Sequence, residues 1–457
     1  MKRSLMPVIV FLAMSACQST PSSPDTGSSA GDNSTPPALR DGSGTQGGAN
    51  AEQSPVQSTV SDKQRILSPS VASAGVAAQA DGSNQFTLSL YQQLSTSEKD
   101  QNLFFSPYSI SSALAMTWAG ARGVTETEMA TALGFVLDQT KLHPFFNYLD
   151  LELAKRGQGA AGKDGKGFRL RIANALWGQQ GYSFLPSFLD LLAENYGAGL
   201  SLLDFGKDPA GAADAINGWI AKKTEDLIKK LVDASSFDDT TRLVLTNTIY
   251  FNAAWQAKFK KEETQNRTFK LLSGSSIQVP QMAQQGSFKV LKNDQLQAIE
   301  LPYDGQEISM VILCPAEGKL ADFEKALTWP KLKENLASLQ SNSVQLVMPK
   351  WRFESPILSL TSPLTNLGMR KAFTPDADFS GMDGTHSLFV GDVLHKAVVI
   401  VDEEGTEAAA ATAVIIGTTS VPIPPAIQIV LDHPFLYLIR DIPTGTILFA
   451  GKMLDPR

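Results

Sequence analysis

The stretch that most constrains this chain is Val398–Val421, which contains no proline and runs straight into Pro422, Pro424 and Pro425. Its middle reads Glu403-Glu404-Gly405-Thr406-Glu407-Ala408-Ala409-Ala410-Ala411-Thr412. Alanine is the best helix former, so a short helix or spacer loop is the plain expectation. Three features oppose it. The run has no stripe of large apolar side chains. It continues as Val414-Ile415-Ile416-Gly417-Thr418-Thr419-Ser420, which favours extended backbone. Proline, which cannot donate to a ladder, is absent until the end, as a segment able to become a central strand requires. In that state Thr406, Ala408, Ala410, Thr412, Val414 and Ile416 share one face. The leading four are small enough to slip beneath a covering helix layer, and Gly405 supplies a backbone hinge.

The surrounding chain reads as helices first and strands afterwards. A helix is expected from about Asn84, with Phe86, Leu88, Leu90, Tyr91 and Leu94 apolar, and a buried one over Ser106–Gly120, with Pro107 in its first turn. Thr125 and Glu128 have capping-box spacing for a third, which Gly134 closes. Trp219, Ile220, Leu227 and Ile228 are spaced along one face of a helix over Ala212–Leu231. Leu243–Phe251 is a near-continuous apolar and β-branched run, expected centrally in a sheet. Strand-like runs follow, among them 277–282, 288–291, 308–314, 344–353, 398–401, 427–431, 435–439 and 447–453. This order argues for an α+β fold with large, mostly antiparallel or mixed sheets.

Several function classes drop out. The formal charge is −7 and the basic residues are scattered, so no nucleic-acid partner is expected. The four histidines, His143, His386, His395 and His433, form no zinc-binding pattern, and neither a nucleophile elbow nor a phosphate-binding loop occurs. No metal or cofactor is expected. Asp432, His433 and Ser420 make a triad only on paper, because triads are defined by geometry.

The N-terminus reads as an export signal: Lys2 and Arg3, an apolar run Leu5–Met14, then Ser15-Ala16-Cys17. Residues 1–16 resemble a bacterial lipoprotein signal, which implies lipidation of Cys17, and Gln18 implies an outer-membrane destination. The alternative is an ordinary secretory signal. Residues 17–81, rich in Ser, Gly, Thr and Pro, are expected to be a flexible tether to a domain over 82–457. Of the two cysteines, Cys314 ends a buried-strand pattern and is expected to be a free, buried thiol.

Glu404-Gly-Thr-Glu-Ala-Ala-Ala-Ala-Thr412 closely resembles the reactive-loop hinge of inhibitory serpins. The resemblance extends to Asn102-Leu-Phe-Phe-Ser106-Pro-Tyr-Ser109-Ile, to Leu243-Val-Leu-Thr-Asn247 through Trp255, to Phe373 with Asp378-Phe-Ser-Gly381, and to Asp392-Val-Leu-His395. It ends with Asp432-His433-Pro-Phe through Arg440-Asp441 and Gly451-Lys-Met. Together these span about Asn84–Pro456. The resemblance implies a fold of three β-sheets and about eight or nine helices with an exposed reactive-centre loop over about 403–425. Ser106, Ser109, Asn247 and His395 would form a buried polar shutter, with Trp255 where the loop would enter. The reading of His395 from the residues alone is a satisfied core histidine.

The implied activity is suicide inhibition of a serine protease, with cysteine proteases a second target class, by a chain that is not itself an enzyme and is a monomer. The target attacks the loop, and the cut loop inserts into the main sheet. Family loop length places the scissile bond at Thr419–Ser420, with Thr418 and Val421 as neighbours. No Arg or Lys lies between Lys396 and Arg440, so elastase-like or subtilisin-like targets fit better than trypsin-like ones. A non-inhibitory serpin would share the fold; bulky, charged or proline residues in the alanine run would mark one, and none is present. The lipid anchor implies a bacterial cell envelope, with the domain periplasmic or surface-exposed.

Overall fold

The computed structural model describes residues 6–12, 57–59, 61–162, 167–197, 200–404 and 425–457. Helix α1, Ser73–Ser97, begins inside the segment whose composition reads as tether rather than near Asn84. The reason is polar packing, which hydrophobicity does not register. Gln79 is fully buried, donates to the Gly134 carbonyl at 3.0 Å and accepts from the Val136 amide at 2.9 Å. Gly82 lies so near that a Cβ there would meet the Gly134 oxygen at 2.3 Å. Ahead of the helix, Arg65 donates to Asn147 and Asp150 of α3, Gln139–Leu153, at 2.8 and 2.6 Å.

Helix α2, Pro107–Trp118, is buried along its whole length, and Ser106 caps it by accepting from the Ser109 amide at 3.3 Å. The helix expected from Thr125 starts at Gly123 without the capping box. Thr125 instead accepts from the Asp378 amide, and Glu128 from the amides of Arg370 and Lys371, so both side chains serve tertiary contacts. Gly134 does close it in the left-handed region. The helix expected to reach Leu231 ends at Lys223, because Glu225 and Asp226 turn to positive φ. Ten α-helices lie among the described residues, three of them seven residues or shorter. The eight or nine expected did not anticipate such short turns.

Among the described residues there are three sheets, of seven, nine and two strands. In the first, β1 (Arg169–Gln179) lies antiparallel to β3 (Leu243–Asn252) and parallel to β2 (Leu200–Leu203). Strand β9, Leu388–His395, stands one strand beyond β3, and the backbone of Met6–Leu12 fills that position, parallel to both. The nine-stranded sheet centres on β4 (Ser276–Lys292), β5 (Leu296–Pro302) and β6 (Ile308–Pro315), with β7 (Gln340–Pro349) beside β4. Strand β4 runs unbroken through what the sequence suggests are two strands. The third sheet pairs β8, Trp351–Glu354, with β10, Val398–Val401, which prolongs β9 toward residues 405–424, the greater part of the expected reactive-centre loop and hence the expected bait. The largest apolar core joins α1, α2 and both large sheets.

Candidate functional site

The chain leaves β10 through Asp402-Glu403-Glu404, the last described residues before the bait. These three are pinned to the far end of β3. The Trp255 indole donates to the Asp402 carbonyl at 3.0 Å, the Trp255 amide to the Glu404 carbonyl at 3.4 Å, and the Phe259 amide to the Glu403 carbonyl at 3.0 Å. Trp255 is itself fixed, stacked on Tyr303 at 4.5 Å and 2% exposed. Residue 404, the last described before 405–424, therefore lies at the end of β3 beside Trp255.

Charge reinforces this anchorage. The Glu403 carboxylate accepts from Thr264 Oγ1 at 2.7 Å and from Lys350 Nζ at 3.0 Å. Burial alone would raise its pKa, but these donors outweigh burial and hold it below the ordinary value. Glu404 pairs with Lys261. Of the expected hinge, Glu404 is thus placed; Gly405, Thr406, Glu407, Ala408, Ala409, Ala410, Ala411 and Thr412 lie outside the described residues, as do Thr418, Thr419, Ser420, Val421 and Cys17.

Ser106, Ser109 and His395 come together beneath the sheet. The Ser106 amide donates to His395 Nε2 at 3.2 Å, while the Ser106 hydroxyl donates to the Leu448 carbonyl at 2.7 Å. An Nε2 that accepts puts the ring proton on Nδ1, which has no hydrogen-bond partner among the described residues. Burial pushes the His395 pKa down to about 3, so the ring is neutral and is suited to hydrogen bonding, not acid–base work. Asn247 sits on β3, opposite Asn174 of β1; its side chain lies outside the description. Trp255 is not part of this cluster but belongs to the anchorage above.

After residue 424 the chain reaches a second anchorage, at residues that the sequence offers as a paper triad and as part of the family resemblance. Strand β11, Ile427–Val430, pairs in parallel with β7 at the edge of the nine-stranded sheet as described. Just beyond it His433 Nδ1 contacts Asp432 at 2.7 Å and Nε2 contacts the Pro315 carbonyl at 2.7 Å, with Cys314 Sγ at 3.3 Å. Burial would lower the His433 pKa, but Asp432, Cys314 and the Pro315 carbonyl together raise it to about 10. Burial raises the Cys314 thiol. A charged imidazole beside a protonated thiol is the reverse of an activated nucleophile, so the group is a clamp. Among the described residues no cluster of potential metal ligands occurs.

A family model described as serpin (serine protease inhibitor) matches residues 81–456. An uncharacterized serpin-like protein of Thermococcus kodakarensis is 40% identical over 376 residues, 82% of this chain and 85% of that protein. The leukocyte elastase inhibitor of Bos taurus is 38% identical over 381 residues, 81% of this chain and 98% of the inhibitor. The crystal structure of tengpin, a thermophilic serpin in the native state, is similar at a TM-score of 0.73 and 26% identity, covering 88% of this chain and all of that one.

Proposed function

This chain belongs to the serpin family of serine protease inhibitors, and from that premise we propose that it traps its target as an acyl-enzyme by inserting the cleaved bait into the seven-stranded sheet. The observation that carries the reading is the anchorage of Asp402–Glu404 on Trp255 and Phe259, where β10 meets the end of β3. A bait cut near Thr419 is free on that side and tethered at the mouth of the strand position it would fill. The residues that would enter first, Thr406 to Thr412, are small apart from Glu407 on the opposite face. Removal of residues 1–16 would take Met6–Leu12 out of the position between β3 and β9 and leave it to the bait.

Scission at Thr419–Ser420 offers the protease a small uncharged residue, which suits a shallow primary pocket. The relatives named leukocyte elastase inhibitor support an elastase-type target. Cys17 carries the acyl anchor at a bacterial cell envelope, and the chain acts as a monomer. Incubation with an elastase and a subtilisin should give a complex that survives SDS, with a released peptide beginning at Ser420. Clean turnover without complex refutes inhibition. Thr406→Arg should convert inhibitor to substrate, since a buried arginine blocks insertion; undiminished trapping by that variant refutes the insertion step.

A further inference from the structure

The backbone of Met6–Leu12 lies in the lane between β3 and β9. Six of its residues pair with β9, from Met6 opposite Leu388 to Leu12 opposite His395. Val8, Ile9 and Val10 pair with Leu243, Val244 and Leu245 of β3. This is the far part of the lane, away from its mouth beside Trp255 and Glu404. Nearer the mouth, among the described residues, no strand pairs with the lane side of Thr246–Phe251 or of Val398–Val401. A bait that left β10 at Glu404 and turned back into the lane would run antiparallel to β9, whereas Met6–Leu12 runs parallel to it. The far part has room for one of them.

The present occupant is held less firmly than a resident strand. Its ladder is parallel, the weaker pairing per residue. Its register along β9 slips between Val8 and Val10. Pro7 brings no backbone donor. Val8-Ile9-Val10-Phe11 is nevertheless strongly strand-forming, so an apolar run suited to export also suits this lane. Reach is no obstacle. Met6–Leu12 and Gln57–Thr59 lie four strand spacings apart in one sheet, about 19 Å, and a chain as long as residues 13–56 can span several times that.

We propose that the leader is an internal block on inhibition: while residues 1–16 remain, Met6–Leu12 fills the far part of the lane and the chain is a substrate of its target, not a trap. A cut bait can enter the mouth, but insertion stops where Leu12 meets His395. Water then hydrolyses the acyl-enzyme and frees the protease. Hydrolysis of the Ala16–Cys17 bond by a signal peptidase, leaving a carboxylate on Ala16 and an amine on Cys17, releases the leader and switches trapping on. The inhibitor is thus silent until it is processed for export. The switch rests on the inhibitory reading and is independent of lipidation at Cys17.

The test compares three chains expressed without export: the full chain carrying Cys17→Ser, with mass spectrometry confirming that residues 1–16 remain; the same chain with Ile9→Pro; and the chain from Gln18 onward. Hydrogen exchange across Leu388–His395 and Leu243–Leu245 reads occupancy of the lane. SDS-stable complex with an elastase or a subtilisin reads trapping. Exchange in the full chain should be at least tenfold slower than in the shortened one, and complex at least tenfold scarcer, with cleaved bait in its place. Ile9→Pro, which removes a donor from the middle of the leader strand, should restore fast exchange and complex together. Equal exchange in the full and shortened chains overturns the occupancy. Protection without loss of trapping, or failure of Ile9→Pro to restore trapping, overturns the block. A shortened chain that forms no complex, beside a full chain that shows protection, would refute the inhibitory reading and the switch with it, while the occupancy stands.

Discussion

Replacing Glu403 by Gln isolates the electrostatic part of the bait's anchorage. The carboxylate is 6% exposed and accepts two donors, whereas its partner Lys350 is 38% exposed. Solvent screens the lysine's share, leaving about 0.5 kcal/mol for the pair itself. The Thr264 bond to a charged acceptor contributes roughly 1.5–3 kcal/mol, of which a neutral amide retains about 1. The net loss is about 1–2.5 kcal/mol, equivalent to about a 5- to 70-fold larger population in which residues 402–404 have left their sites. Native-state exchange at the Phe259 and Trp255 amides, which donate to the Glu403 and Glu404 carbonyls, measures that opening directly. The effect has a defined pH dependence. Because the folded pKa of Glu403 is depressed, its contribution is complete above the unfolded value and disappears as pH falls through the folded one. Wild type and Glu403→Gln should therefore differ at pH 7 and converge in acid. Exchange within twofold of wild type at pH 7, or a difference that persists in acid, would show that backbone bonds alone hold the bait.

Three further outcomes are expected. His143 and His395 are both held near a pKa of about 3 by burial, so stability should fall as pH drops from about 6.5, by up to about 1.4 kcal/mol per unit for each ring; urea unfolding between pH 7 and 5 measures it, and an unchanged slope in His395→Gln would count against the assignment. Arg65→Ala removes the cation over Asp150, whose carboxyl burial already pushes upward, and should cost about 1–3 kcal/mol; a cycle with Asp150→Asn that proves additive would mean the two are uncoupled. Gly451→Ala would put a Cβ 2.4 Å from the Leu103 carbonyl oxygen and 2.8 Å from the Tyr437 hydroxyl, neither of which can withdraw; a melting temperature equal to wild type would show that the strands part more easily than their packing implies.

The α+β class and the order of elements were legible because apolar periodicity reports which face of a segment is buried. The expected bait rests on the opposite signal: small residues, no proline and no apolar stripe, the composition expected of a segment that must move into a sheet. Short-range signals proved less secure where the same side chain could serve a distant partner. Thr125 and Glu128 had the spacing of a local cap, and the structure spends both on residues 370–378. Gln79 and Arg65 lie in sequence of tether-like composition, yet each meets partners more than fifty residues away.

What the sequence shows by itself is a proline-free run of small residues leading out of Glu404-Gly405, and no zinc-binding, nucleophile-elbow or phosphate-loop pattern. Only the tertiary structure decided where that segment is held and by what. Only the serpin resemblance sets Trp255 where the loop would enter, without naming its partners, and Glu403 reads as one acid in a run of charges. Chain crossing puts the indole under the Asp402 carbonyl and the carboxylate between Thr264 and Lys350. Burial fixes the neutrality of His395, whereas the donors around Glu403 and the partners of His433 overcome burial and hold both groups charged. Periodicity carries information about faces, whereas ionisation depends on desolvation and on neighbours brought from far along the chain.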